Sequence, residues 1–581
     1  MKKYWRLLLL CCTVLFSTGI AGETPEVRVW PWLKTIHVPT QLEQFFFLEL
    51  PAPAEGKAMS LTLTLPEGIA ITGFPKGETP TMPPGSVSVF PEKFEQKGTV
   101  AELQFAAGAF RKPAAYLAMQ WNVTAKPGKY TMTVRMTSGN GVQTQEFPVQ
   151  VFPPLQGLQP EKIIITAYDY PGLAPEFLPT YLGMLKAGGV TDLLHMRGDY
   201  KRSVTATDLA GKYGIRNGLV FFLHQIQNYY TQNPLPAGIT AAEVSSLVTL
   251  LDQPEKFKTL AHNFFQDAMG GKPYAVICYD AERGGFSGGK LTGDRSEYAL
   301  KQFRAFAKLP ADAVVDDNTL STLYRKEWSA FYCDLSRRAA ALLRELIDEH
   351  YAGYRFEVYS GYEYDSGVHK DYTRDRYGVD WKTMATVMPD FCVAGYGGTA
   401  ALIAHSAQAM NGNSSFIPAE MYVENFLRMT APDRSPSKWA VRLLRSYLHG
   451  SRRGLALWYA NVFDGNALIS IDRVSTLLAR GEELLLNGTP AGDAVLVRPA
   501  AEQDNCYVFR NEGSALILLL NAEEKDKTIH LNLKGFRQQG YTGALQIADL
   551  MSGEKIPAAA TIKLQVPAGE FRALQLLEDG N

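Results

Sequence analysis

The 581-residue chain has almost no net charge, few cysteines, no internal repeat and no long hydrophobic run, and each lack removes a class of protein. Its 58 basic side chains stand against 59 acidic ones, so the overall balance draws it neither to nucleic acid nor to an anionic membrane surface. No apolar run reaches the roughly 18 residues a membrane helix needs, which excludes a polytopic membrane protein and predicts no transmembrane segment in the mature chain. Neither GxGxxG nor GxxxxGK[ST] follows a strand-like run, and HExxH and EF-hand spacings are missing as well. No nucleotide, metal or other cofactor is therefore expected. A mean hydropathy of -0.12 with 46% hydrophobic residues excludes a disordered or collagen-like chain. The one excess is aromatic, with Tyr 28, Phe 29 and Trp 8. Aromatic faces build cores and also line sites for flat, partly apolar ligands such as sugars.

Residues 1–22 read as an address. Lys2, Lys3 and Arg6 precede an apolar run from Leu7 to Phe16, and small residues follow from Ser17 to Gly22. That order is a secretory signal peptide with cleavage after Ala21 or Gly22, which places the mature protein outside the cell or in the periplasm. Cys11 and Cys12 invite lipid attachment, but Leu9 and Leu10 stand where small residues would be expected, so anchoring is the lesser reading. Loss of the leader leaves 55 basic side chains against 59 acidic ones. Cys278, Cys333, Cys392 and Cys506 remain, far apart and without CxxC, so neither a zinc site nor a disulfide framework is expected; a single bridge stays open. A chain of this length buries enough core without staples.

The hydrophobic pattern then changes twice. From 23 to 155 it alternates with period two in short runs broken by Pro and Gly, as in Ser60 to Leu65 and Thr131 to Met136, and predicts an antiparallel β-sandwich. From 160 to 485 short apolar runs alternate with helix-length stretches. Strands are expected at Ile163–Thr166, Asp192–His195, Gly218–His224, Tyr274–Tyr279, Arg355–Tyr359, Phe391–Ala394, Ser415–Pro418 and Gly454–Trp458. The stripe Phe331, Leu335, Ala339, Leu342, Leu343 and Leu346 marks one of the intervening helices. Such repeated strand–helix units fit one (β/α)₈ TIM barrel, with an open doubly wound sheet as the second choice. From 490 to 581 period-two strands return and predict a second, smaller β-sandwich.

In such a barrel the chemistry sits where the strands end. Those positions hold Tyr168 and Asp169; His195, Arg197 and Asp199; His224 and Gln225; Asp280, Glu282 and Arg283; Tyr362 and Glu363; Tyr396; Glu420 and Tyr422; Trp458, Tyr459 and Asn461. Solvated turns would be rich in Lys, Ser, Asn and Gly instead. Asp280 and Glu282 after the fourth strand and Glu420 after the seventh are the sharpest. Cleavage of a glycosidic bond needs one carboxylic acid to protonate the leaving oxygen and a second carboxylate as nucleophile or base, about 5–5.5 Å away for retention and about 6.5–9.5 Å for inversion.

An acid/base Glu after the fourth strand and a nucleophilic Glu after the seventh resembles the retaining glycoside hydrolase clan that includes the β-galactosidases. Gly284-Gly285-Phe286, the run Ala299 to Phe306 and Trp328-Ser329-Ala330-Phe331 are similar to β-galactosidase-type barrels. The resemblance implies Glu282 as acid/base and Glu420 as nucleophile. The clan has Asn before its acid/base Glu, where this chain has Ala281. Asp280-Ala281-Glu282 resembles instead the Asp-x-Glu of chitinase-like and lysozyme-like barrels, in which the Asp positions the acid or the substrate. Glu282 is the acid under both; the choice between Asp280 and Glu420 as its partner stays open.

Structural readings stand beside these. Asp280 can cap the next segment, and Glu282 with Arg283 can be surface charges. Glu420 can pair with Arg197 or Arg283, His195 and His224 can be hydrogen-bonded core residues, and Trp458 and Tyr459 can cap the barrel. The sequence thus supports an exported glycosidase acting on an oligo- or polysaccharide. Its alternative is a non-catalytic carbohydrate-binding or surface-scaffold protein on the same barrel. Oligomeric state, sugar and linkage are not legible.

Overall fold

The computed structural model describes all residues except 1–25, 30–33, 54–56, 76–87, 111–113, 140, 170–174, 197–208, 273, 364–370, 388, 396–399, 417–434, 451–452, 459–463, 539–544, 558 and 579–581. Strands between Arg28 and Phe152 form a four-stranded and a six-stranded sheet. Alternation does the local work: in Met59–Thr64 the residues Met59, Leu61 and Leu63 are buried while Ser60 and Thr62 are only partly so. The two sheets share one core, in which Phe46 stacks on Trp121 at 4.0 Å. Leu42–Pro51 departs from alternation because both of its faces are covered. Phe46, Leu48 and Leu50 point into that core, whereas Phe45 and Phe47 pack against the barrel helix Leu178–Ala187. The Phe45-Phe46-Phe47 run is thus the signature of a strand between two layers.

Eight parallel strands close into a barrel: β1 Ile164–Asp169, β2 Asp192–Met196, β3 Arg216–Phe221, β4 Val276–Asp280, β5 Arg355–Gly361, β6 Phe391–Gly395, β7 Ser414–Phe416 and β8 Gly454–Trp458. Closure is by β1 against β8, with Tyr168 opposite Trp458. The helices used below are α1 Leu178–Ala187, α2 Leu223–Tyr229, α3 Arg325–His350, α4 Tyr372–Tyr377 and α5 Gly465–Asn487. The expected apolar stripe is the buried face of α3, which includes Trp328, Phe331, Leu335, Ala339 and Leu346. Burying each of the large apolar side chains contributes roughly 1.5–3 kcal/mol, so this helix face is set by packing more than by propensity.

One expected boundary needs correction. The third strand does not run to His224: it stops at Phe221, and α2 begins at Leu223. The Gln225 side chain accepts from Phe222 N at 3.0 Å, capping the helix at a point where the apolar run alone reads as continued strand.

The barrel interior is filled by inward side chains from alternate positions, among them Ile164, Tyr168, Leu194, Val220, Cys278 and Tyr359. At the end where strands begin, Asp192 accepts from Arg216 Nη2 at 2.8 Å and Arg355 Nη2 at 3.2 Å. Arg355 Nε also reaches Glu357 at 2.7 Å. Among the described residues Cys278, Cys333, Cys392 and Cys506 are free and buried, and no helix is long and apolar enough to cross a membrane.

The last strands, from Thr489 to Glu578, form a six-stranded and a three-stranded sheet around a separate core. The helix α5 joins all three regions. Its start approaches the first region so closely that a Cβ on Gly465 would lie 2.1 Å from His37 O. Near its end Glu482 accepts from Lys162 N and Ile163 N, fixing the entry to β1, and Leu484 and Leu485 pack with Leu516 and Leu518 of the last region.

Candidate active site

Asp280 is the last residue of β4 and pairs in register with Tyr359 of β5. It shares the inward face with Val276 and Cys278, the period-two consequence of its position. Only 2% of its surface is exposed, and among the described residues its Oδ1 has no hydrogen-bond partner. An ionised carboxyl in that setting is costly. Burial drives it well above the usual carboxylate range, and the nearby Glu282 charge adds to the rise.

The chain leaves the strand through Ala281, whose N–H still reaches Tyr359 O at 2.9 Å. Glu282 follows, two residues after Asp280 and in contact with solvent. Protein on its flanks raises its carboxyl above the ordinary range, and the Arg376 guanidinium pulls it back down. What brings Arg376 there is a backbone lock. Gly284 N donates to Arg376 O at 3.0 Å, and a Cβ on Gly284 would lie 2.1 Å from Asp375 O. Glycine at 284 thus lets the loop after β4 lie directly on the end of α4. Arg376 packs over the rings of Tyr372 and Tyr377 at 5.4 and 5.1 Å and donates to the Tyr372 hydroxyl. On the other flank Arg283 Nη1 donates to Gln227 Oε1 of α2 at 2.8 Å.

Other candidates divide. Tyr168 lies inside the barrel beneath this site, its hydroxyl 4.0 Å from Cys278 Sγ. His224 sits on α2, stacked on Phe222 at 5.1 Å; burial lowers its pKa and Arg283 lowers it further. His195 is turned away from the mouth. Leu194 points into the barrel, so its neighbour points outward, where it is 0% exposed and bonds Asn217 Oδ1 at 3.2 Å. Burial lowers its pKa to about 4, so it is a neutral core residue. Tyr362 and Glu363 follow β5, but both are buried, Tyr362 within the core outside the barrel. Glu363 accepts from Arg374 Nη2 at 2.5 Å, and its N–H and C=O both bond Ser406 Oγ, so it ties β5 to neighbouring helices.

Asp169 and Trp458 are placed by their backbones at the ends of β1 and β8, opposite His195 and Tyr168. Arg197, Asp199, Tyr396, Glu420, Tyr422, Tyr459 and Asn461 lie outside the described residues. Asp280 and Glu282 are therefore the two predicted carboxyl groups that the described structure brings together. Arg376, Tyr372 and Tyr377 were missed. Their signal was the run Asp371-Tyr372-Thr373-Arg374-Asp375-Arg376-Tyr377 beyond the fifth strand, dense in arginine and tyrosine.

A cavity of about 780 Å³ opens nearby, lined by Arg325, Ser329, Cys333, Arg374, Asp375 and Asp380 among others, and by none of Asp280, Glu282 and Arg376. Its charges are largely spent on each other: Arg374 pairs with Glu363 and Asp380, and Arg325 with Asp375. Among the described residues no cluster of His, Cys, Asp and Glu has the form of a metal site.

No protein-family model matches the chain, and no curated protein matches it either. Solved structures similar in overall shape include a putative alpha-galactosidase/melibiase from Bacteroides fragilis, at 10% identity and TM-score 0.38, covering 93% of this chain and 96% of that one. A β-L-arabinopyranosidase from Geobacillus stearothermophilus is similar at 9% identity and TM-score 0.39, covering 72% and 98%. A maltogenic alpha-amylase from Thermotoga neapolitana is similar at 10% identity and TM-score 0.39, covering 71% and 98%. Likeness at this level assigns neither an activity nor residue roles to the chain.

Proposed function

We propose that this is an exported glycoside hydrolase cleaving O-glycosidic bonds of an oligo- or polysaccharide, with Glu282 as the proton donor. The observation that carries the reading is the carboxyl pair at the end of β4. Asp280 is buried with Oδ1 unpartnered among the described residues, and Glu282 stands two residues on, raised above the ordinary carboxylate range. A carboxyl held protonated toward neutral pH suits delivery of a proton to a leaving oxygen. Asp280, favoured in its neutral form by burial, is suited to donate a hydrogen bond to Glu282 or to the substrate. Glu420 after the seventh strand would serve as nucleophile in a retaining mechanism. Aromatic and polar groups at the other strand ends would hold the sugar.

Glu282→Gln is expected to lower kcat on a panel of aryl glycosides by about 10²–10⁴-fold while sugar binding persists. Azide rescue of Glu420→Gly identifies the nucleophile, and rescue at Asp280→Gly instead would replace Glu420 in that role. A wild-type protein that binds glycans and hydrolyses none of them would leave the scaffold reading.

A further inference from the structure

Among the described residues, the charges around Glu282 are not matched in pairs. Arg283 and Arg376 are both exposed and both held in place, one by Gln227 and the other by two tyrosine rings. Among the described residues neither guanidinium forms an ion pair, and the nearby carboxylates are engaged elsewhere. Asp375 takes Arg325 and Ser329, while Glu363 and Asp380 take Arg374. Asp280 is buried away from both, and burial favours its neutral form. That leaves Glu282 as the one counter-charge among the described residues, and it carries none at the moment it holds the proton to be delivered; the Glu420 carboxylate proposed as nucleophile would offset only one of the two guanidinium charges. A guanidinium fixed in orientation but without an anion is a fork suited to a carboxylate or sulfate, and little ordering entropy remains to be lost on binding.

We propose that the surface around Glu282 takes a sugar bearing an anionic substituent, a carboxylate or a sulfate ester, whose charge is met by Arg283 and Arg376. The proposal rests on Glu282 acting at a glycosidic bond and adds the substrate class. Arg283 comes from the loop after β4 and Arg376 from the end of α4, joined by the Gly284–Arg376 backbone bond. Both charges are therefore carried by backbone tied to the loop that holds the acid.

The test uses the whole chain with 4-nitrophenyl glucosides and galactosides of both anomeric forms, beside the matching uronides and 6-sulfates. One anionic series is expected to exceed its neutral parent in kcat/KM by about tenfold or more, roughly the value of one charge-assisted contact. Arg376→Gln and Arg283→Gln should each collapse that ratio, and the uronide and sulfate arms separate the two sources of charge. Calorimetric binding of the same sugars to Glu282→Gln reads the preference without turnover, so it decides the matter even if an arginine variant folds poorly. Neutral sugars bound and cleaved as well as anionic ones would overturn the anionic subsite and leave the hydrolase standing. Arginine-dependent anion preference in binding with no cleavage by wild type would keep the subsite and remove the catalytic role of Glu282. Binding of no sugar at all would overturn both.

Discussion

Where the barrel strands begin, Asp192 is held by Arg216 and Arg355, and Arg355 also reaches Glu357. Where they stop, Asp280 Oδ1 has no described partner, Glu282 faces solvent, and Arg283 and Arg376 donate, among the described residues, only to neutral side chains. The same residue types occupy both ends. At the first end each charge has an ion-pair partner in place, although among the described residues Glu357 keeps Oε2 unpartnered and burial raises its carboxyl. At the second neither Asp280 nor Glu282 has an ion-pair partner among the described residues, and both carboxyl groups are raised. Groups left unsatisfied by the fold are groups available to a substrate, which is why the unbalanced end is the one read as an active site.

The comparison predicts opposite consequences for substitutions at the two ends. Arg355→Met strands Glu357 in the barrel floor, leaves Asp192 with Arg216 alone, and should cost about 3–5 kcal/mol of stability. A large fall in the thermal midpoint with kcat retained in the folded fraction is expected, and wild-type melting would break the comparison. Asp280→Asn should do the reverse. It swaps a costly buried acid for a neutral isostere, so stability should change by less than about 1 kcal/mol while kcat falls about 10²-fold. Parallel melting and kinetic curves test this, and an unfolded Asp280→Asn variant would show that the top is as structural as the floor.

A smaller effect sharpens the electrostatics. Burial holds the Glu282 carboxyl up and Arg376 lowers it, because a nearby cation favours the ionised form. Removing that cation by Arg376→Gln raises the carboxyl further, so the proton is kept to higher pH. The alkaline limb of kcat/KM should move to higher pH in a matched pH-rate series. A limb that stays put or moves to lower pH would mean that another group, outside the loop after β4, sets it.

Much of the fold was legible because it rests on local patterns. The apolar runs from Ile163, Asp192, Tyr274, Arg355, Phe391, Ser415 and Gly454 became barrel strands to within a few residues, and the stripe from Phe331 to Leu346 became the buried face of α3. The third strand overran because Phe222 and Leu223 prolong its apolar run, whereas Gln225 caps a helix there. Period two also placed Asp280 inward, and it explains why His195 should have been read with Leu193 on the outer face. Glu363 misled because its position after β5 is that of a mouth residue while its side chain serves Arg374.

The sequence by itself determined the order of sheets, barrel and sheets, the strand that ends on Asp280, and the two-residue step to Glu282. Those follow from hydrophobic periodicity, which acts over a few residues. Only the tertiary structure decided that Arg376 stands beside Glu282, that His195 is a core residue and that Asp192, Arg216 and Arg355 compensate one another. Each of these depends on segments far apart in the chain meeting through a backbone bond, a register or a buried charge, and no local pattern encodes which partners will meet.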